Sequence, residues 1–193
     1  MKNQDTQKNR LNNKVSVFVA LFAALVAAGG FIAIPTPSGV PIVLQNMLAI
    51  TTGILLGGIQ GGGAVGLFLL AGSFGLPVFA GGKGGMSHLI GPTGGFLFGY
   101  FIAALIVGLY IGKPNFDKPT PLAKIISASL IGYLIVYIAG IVQFMAVTEY
   151  SFLATISACV IPFLPGLIVK LIITVFLGWK LRPLVARYVF SEN

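Results

Sequence analysis

From Val15 to Gly82 the chain carries no charged side chain. A stretch that long supplies more than one membrane crossing, since each needs about 20 apolar residues. The rest of the sequence agrees: 56% of the 193 residues are hydrophobic and only 8% are charged, against about a quarter in a soluble domain. Too little polar surface remains to keep a fold of this size in water. The expected class is an all-α membrane protein, seated in a lipid bilayer.

The charge-free stretch has to be divided by weaker punctuation. Pro35-Thr36-Pro37-Ser38-Gly39 is one expected breaker and Gln60-Gly61-Gly62-Gly63 a second. They predict a first span over 15–34, a second over 41–59 and a short third from Gly63 to Gly75 or Pro77. A glycine-rich tract follows from Gly75 to Gly95. The fourth span is expected over 93–111, the fifth over 125–147, and the sixth from Pro165, a favourable first-turn residue, to 180–182. The apolar run after Lys14 is too long for a signal-peptide core and is followed at once by another span, so it reads as a membrane helix.

Charge then sets orientation. Lys2, Lys8, Arg10 and Lys14 precede the first span; Lys113, Lys118 and Lys124 lie between the fourth and fifth; Lys180, Arg182 and Arg187 follow the sixth. Six spans put all three groups on one face, and the positive-inside rule makes that face cytoplasmic. The expected organisation is therefore a cytoplasmic N-terminal tail over 1–14, one six-helix transmembrane domain over 15–182, and a cytoplasmic C-terminal tail over 183–193. Both termini lie inside, and the glycine-rich loop between the third and fourth spans lies outside. The net charge of +8 is explained by this topology and needs no nucleic-acid partner. One cysteine, Cys159, and one histidine, His88, leave no intramolecular disulfide and no His-rich metal site.

Two lysines stand apart. Lys83 falls in the outer loop. Lys170 lies ten residues before Lys180, so ~15 Å into the sixth span at 1.5 Å per residue, where an ammonium costs at least ~2.5 kcal/mol. Asp5 and Asp117 are expected on the cytoplasmic side, Glu149 at the outer interface and Glu192 in the tail, so no acid reaches Lys170. It either snorkels or bonds a free backbone carbonyl, or it waits for a ligand carboxylate. Gln45, Asn46, Thr93, Tyr100, Tyr137 and Gln143 place hydrogen-bonding groups at similar depth in the outer half. Each alone could be a satisfied core group or an interfacial anchor; together with Lys170 they suggest a pocket open to the outside for a small organic acid with a polar head.

Other motifs are weaker. Gly81-Gly82-Lys83-Gly84-Gly85 is not a phosphate-binding P-loop, because Pro77 stands where a glycine is needed and Gly84 where Ser or Thr is needed. It suits close approach to a ligand, a lid, or a flexible linker. Ala20, Ala24 and Ala28, with Ala23 and Ala27 alongside, form a small-residue face for another helix of this chain or of a partner. Ser87-His88 are adjacent on a loop, a poor arrangement for a nucleophile and its base, and no hydrolase motif accompanies them. No catalytic residue is assigned. A proton-coupled or solitary carrier for a small organic anion is the competing class, but no intramembrane acid supports it.

Four segments together resemble one family: Val40-Pro41-Ile42-Val43-Leu44-Gln45; Gly75-Leu76-Pro77-Val78-Phe79-Ala80-Gly81-Gly82; Gly91-Pro92-Thr93-Gly94-Gly95-Phe96-Leu97-Phe98-Gly99; and Pro162-Phe163-Leu164-Pro165-Gly166 with Lys170. They are similar to the BioY family, the biotin-binding S components of energy-coupling factor transporters. The resemblance implies six helices and a biotin site on the outer side under the loops. It also implies docking to a transmembrane coupling subunit through an Ala20–Ala24 pattern, with Ala28 continuing that face, and two ATPase subunits that alone use ATP. The chain itself would need no cofactor. Ligand contacts would come from Gln45, Gly81, Gly82, Lys83, Gly84, Gly85, Thr93, Gly94, Tyr100, Tyr137, Gln143 and Lys170. The glycine-rich loop and Gln45 would take the ureido head, and Lys170 or Lys83 the valerate carboxylate. Release would follow a tipping of the whole component in the membrane. One departure is Leu167, where members often carry Asp after the Pro-Gly; no carboxylate role carries over to it.

Overall fold

The computed structural model describes residues 2–190, with side chains from Asn12 onward. The side chains of Lys2, Asp5, Lys8 and Arg10, and Glu192 in the expected tail, lie outside the described part. The chain is mostly helical: α1 (Lys2–Ala28), α2 (Gln45–Leu56), α3 (Gly58–Ser73), α4 (Met86–Ile90), α5 (Gly94–Ile111), α6 (Leu122–Thr148), α7 (Phe152–Cys159) and α8 (Leu164–Val185). A 3-10 turn at Ile161–Phe163 leads into α8 and a π turn at Ala186–Phe190 follows it. Three stretches are long and apolar enough to cross a membrane: Gly94–Ile111, Leu122–Thr148 and Phe152–Phe190. Asn12–Ala28, α2 and α3 are apolar but shorter.

The short helices have a physical reason. All but one residue of α2 is buried, so it is the central element, wrapped by α1, α3, α5, α6 and α8. Its 12 residues rise only ~18 Å, against a hydrocarbon thickness of ~30 Å. The backbone before the start of α2 is partly buried and lines a cavity, the setting in which non-helical backbone is tolerated at membrane depth. The core beside it holds Ile50, Ile54, Val107, Ile125, Ala128 and Val136, none more than 1% exposed. Polar groups inside are satisfied locally. Thr51 and Thr52 donate to the carbonyls of Met47 and Leu48, both at 2.7 Å, and Tyr133 and Thr174 share a hydrogen bond of 3.1 Å between α6 and α8.

Several boundaries differ from the sequence expectation. The first span was expected to run to Ile34, but α1 ends at Ala28. Ala33–Ile34 instead forms a strand, β1, antiparallel to β2 (Ile42–Val43), with Ala33 opposite Val43 and Ile34 opposite Ile42. The proline-rich breaker is thus the tip of a hairpin, tied by Thr36 Oγ1 donating to the Val40 carbonyl at 2.7 Å. The expected breaker Gln60–Gly63 is helical. Gly61 and Gly62 pack on Gly53 and Leu105, where a Cβ on Gly61 would stand 2.7 Å from the Gly53 Cα; their smallness serves close packing. The break falls instead at Gly57 and Gly58, with φ of +62° and +52°, the left-handed region open to glycine. A single residue therefore separates α2 from α3.

Two helices were not foreseen, α4 inside the glycine-rich tract and α7 before the sixth span. Ser151 caps α7 by accepting from the Ala154 N–H at 3.3 Å. At the far end, α8 runs to Val185 and the turn beyond it continues to Phe190, where a tail was expected from 183. Val185 and Val189 are buried against Phe22, Leu55, Leu56 and Ala64, which explains the continued order.

That end of the bundle is closed by Arg182, 3% exposed. Its Nε donates to Thr120 Oγ1 at 2.7 Å and one Nη to the Gly112 carbonyl at 2.7 Å and the Ile111 carbonyl at 3.4 Å. The other Nη donates to the Ile54 carbonyl. A guanidinium offers five donors in a rigid fork, and here it joins the C-terminal ends of α2 and α5, where cations are favoured.

Candidate ligand-binding site

At the opposite end lies a cavity of about 300 Å³, at the lower bound of small-molecule sites, which run ~300–1,000 Å³. The hairpin tip covers it with Ser38, Gly39, Val40 and Pro41. Phe79, Phe96, Tyr100, Tyr137, Phe144 and Phe163 supply flat apolar walls. Residues at or just before the N-termini of three helices border it: Val43, Gln45 and Asn46 at α2, Gly91 to Thr93 at α5, and Phe163 at α8. Each such end carries a partial positive charge. Lys83, His88 and Lys170 are on the wall, and among the described residues no Asp or Glu is. The site is built for negative or electron-rich groups.

Its buried end is formed by Gln45, Asn46 and Lys170. Lys170, 8% exposed, donates to the Val43 carbonyl at 2.5 Å and to Asn46 Oδ1 at 3.2 Å. An ammonium has three donors, so one remains for a further acceptor. The two readings of this lysine thus meet in one residue, which bonds a backbone carbonyl and also borders the cavity. Gln45 is fully buried. Its Nε2 donates to the Val78 carbonyl at 2.8 Å, while its Oε1 is buried with no hydrogen-bond partner. An unpaired buried acceptor costs about 1–3 kcal/mol, and a ligand N–H would relieve it.

The more exposed edge is formed by Lys83 and His88. Phe79 and Lys83 pair across a tight turn in which the Phe79 N–H donates to the Lys83 carbonyl at 2.8 Å. Gly81 and Gly82, both at φ +72°, make that turn possible. The turn is anchored, since the Gly81 N–H donates to the Gly30 carbonyl at 2.8 Å and the Gly85 N–H to the Gly72 carbonyl at 2.7 Å. A flexible linker is thereby excluded. Beside it, α4 carries Ser87 and His88, with the imidazole stacked on Phe79 at 6.4 Å between centroids and 27° between planes.

Gln45, Lys83, Thr93, Tyr100, Tyr137 and Lys170 all border the cavity. The other expected contacts stand behind it. Gln143 donates through Nε2 to the carbonyls of Leu89 and Gly91 at 2.7 and 2.8 Å, holding α4 against the start of α5. Gly94 packs against Leu89 and that same amide, and Gly84 against Leu76. Gly81, Gly82 and Gly85 shape the turn without bordering the cavity. Asn46 and His88, which lie outside the expected contact set, also border the cavity; the depth of the one and the rarity of the other are the sequence signals that point to them. Ala20, Ala24 and Ala28 face outward beside exposed Val17, Leu21 and Leu25.

Comparison with known proteins follows the same line. The model of the BioY family matches residues 2–187. A biotin transporter BioY of Rhodobacter capsulatus is 40% identical over 165 residues, covering 81% of this chain and 86% of its own. One from Thermotoga maritima is 32% identical over 164 residues, covering 85% and 93%. The solved S-component for biotin of an ECF-type ABC transporter superposes with a TM-score of 0.78 at 30% identity, over 90% of this chain and 93% of that one.

Proposed function

The chain belongs to the BioY family, and we propose that it binds biotin as the S component of an energy-coupling factor transporter. It is a multi-pass protein of a prokaryotic cell membrane. The observation that carries the reading is the unpartnered Gln45 Oε1 at the buried end of the cavity that Lys170 also borders. A cyclic urea offers N–H groups to such an acceptor and a carbonyl oxygen to the spare ammonium donor. The valerate chain would lie along the aromatic walls and bring its carboxylate to Lys83 at the exposed edge. This arrangement needs no acid at Leu167.

Variants and analogues together test it. Lys170→Ala should weaken both biotin and its uncharged carboxamide by about ten- to 100-fold, the range for hydrogen bonds to charged groups. Lys83→Ala should weaken biotin alone, by about fivefold at most. If Lys170→Ala spares the carboxamide while weakening biotin, the carboxylate sits at Lys170 instead. If purified protein binds thiamine or riboflavin more tightly than biotin, the ligand assignment fails.

Topology and energisation complete the proposal. The six apolar helices α1, α2, α3, α5, α6 and α8 would span the membrane, with α4 and α7 at the outer side. Lys14, Lys113, Lys118, Lys124, Lys180, Arg182 and Arg187 belong to the end away from the cavity, which the positive-inside rule makes cytoplasmic. The transmembrane domain would then extend over 15–182 between two cytoplasmic tails. With no nucleotide motif in the chain, ATP hydrolysis would come from two ATPase subunits through a transmembrane coupling subunit. The outward face of Ala20, Ala24 and Ala28 suits close helix contact with that subunit. Ala24→Leu should leave biotin binding unchanged and reduce uptake by cells that hold the whole transporter.

A further inference from the structure

Asn46, the second residue of α2, borders the cavity and is 9% exposed. Its amide can face only one way. Oδ1 receives two donors, the Met47 N–H at 2.9 Å and the Lys170 ammonium at 3.2 Å. An amide nitrogen accepts from neither, so Nδ2 lies on the other side of the group. There it has no hydrogen-bond partner among the described residues, and it is not one of their enclosed unpartnered atoms, which are Gln45 Oε1 and Gln60 Oε1. It is an open donor, and the open space beside Asn46 is the cavity. Gln45, one residue earlier, is turned the opposite way. Its nitrogen is spent on the Val78 carbonyl and its oxygen is unpaired.

Asn46 Nδ2 and Lys170 Nζ are close enough to serve one oxygen. The oxygen and nitrogen of an amide lie about 2.3 Å apart, and Oδ1 is 3.2 Å from Nζ. The two nitrogens are therefore separated by no more than about 5.5 Å. Two donors that each reach ~2.9 Å can share an acceptor across ~5.8 Å. Lys170 keeps one donor after Val43 and Asn46 are served. Neither residue can receive a ligand N–H at this point, because an ammonium has no lone pair and both lone pairs of Asn46 Oδ1 are taken. The pair forms a seat for an acceptor.

Resting on the reading that biotin binds here with its ureide at the buried end, we propose that Asn46 determines specificity at this seat: its Nδ2 and the Lys170 ammonium converge on the ureido oxygen, and a ligand with an N–H group in that place is refused. Each end of the amide then has its own task. Oδ1 positions the ammonium, and Nδ2 touches the ligand. An N–H group brought to the seat would meet two donors and no acceptor, and a cationic one would also meet the ammonium. Stranding buried hydrogen-bonding groups in this way is what lets a polar site reject a close analogue.

Asn46→Asp separates the two tasks. A carboxylate keeps an oxygen towards Lys170 and the Met47 N–H, and a negative side chain suits a helix N-terminus, so the thermal midpoint in detergent should hold. Only the donor is lost, and an acceptor takes its place. The test is equilibrium binding to the purified full-length protein near pH 8, where an Asp is ionised. The ligands are biotin and iminobiotin, in which a nitrogen replaces the ureido oxygen within a cyclic guanidinium. The parent should prefer biotin by about 100-fold or more. Asn46→Asp should weaken biotin by about tenfold or more and strengthen iminobiotin, so that the preference shrinks. Equal biotin affinity in the parent and Asn46→Asp overturns the proposal, since a residue that only held Lys170 would work with either side chain. A loss for biotin with an unchanged ratio between the two ligands overturns the assignment of the seat to the ureide. Asn46→Ala removes both ends of the amide and should weaken biotin at least as far; unchanged biotin affinity in it overturns the proposal as well. A parent protein that binds no biotin overturns the functional reading itself, which the other results leave intact.

Discussion

Helix α8 buries a cation near each end, and the two are held in opposite ways. Arg182 has four oxygen acceptors from three segments, and its fork is enclosed. Lys170, twelve residues earlier and so ~18 Å away, has two acceptors from one segment and borders a cavity. Neither has a carboxylate partner among the described residues. A buried cation whose donors are spread over helix ends is placed as a fastener; one with a donor left over beside empty space suits the receptor role proposed for Lys170. Side-chain type follows the task, since the planar guanidinium joins several acceptors at once and the compact ammonium leaves room.

The largest effect expected from this contrast is on stability. Arg182→Ala would leave the Ile54, Ile111 and Gly112 carbonyls without their shared donor. At about 1–3 kcal/mol per stranded buried group, the loss should reach ~3 kcal/mol or more, read as a large fall in the thermal midpoint in detergent. Lys170→Ala should move that midpoint little or raise it, because it removes a buried charge with incomplete compensation, even though binding suffers. A fall as large as that of Arg182→Ala would erase the distinction between fastener and receptor. The smallest effect is expected for Thr120→Val, which takes one side-chain acceptor from the fork and leaves the carbonyls; a loss of about 1 kcal/mol would show that the carbonyls dominate.

The sequence made the receptor legible and hid the fastener. Lys170 stood out because it interrupts an apolar helix far from either expected end. Arg182 sat where positive charge is common at a membrane face, so orientation alone accounted for it; its burial depends on carbonyls of α2 and α5 that are remote in the chain. Similar physics governs the other gains and misses. The six apolar helices were placed within a few residues at most boundaries, because lipid imposes length and composition. The Gly60s misled because glycines in a membrane bundle serve either a bend or close packing, and only tertiary contact decides which. Gln143 was read for its depth in the membrane, but an amide donor serves neighbouring carbonyls as readily as a ligand. The hairpin at 33–43 carries too few residues for a period to register, and α7 merged with the apolar run that follows it.

The one-residue joint at Gly57 has a mechanical consequence. Two central helices that meet without a loop cannot be drawn apart at that end, and Arg182 ties the adjoining end of α5 to the same point. The vessel has a sealed floor. If the ligand enters from above as proposed, a base tied in this way would not part to release it, and delivery to the other side of the membrane would call for moving the vessel.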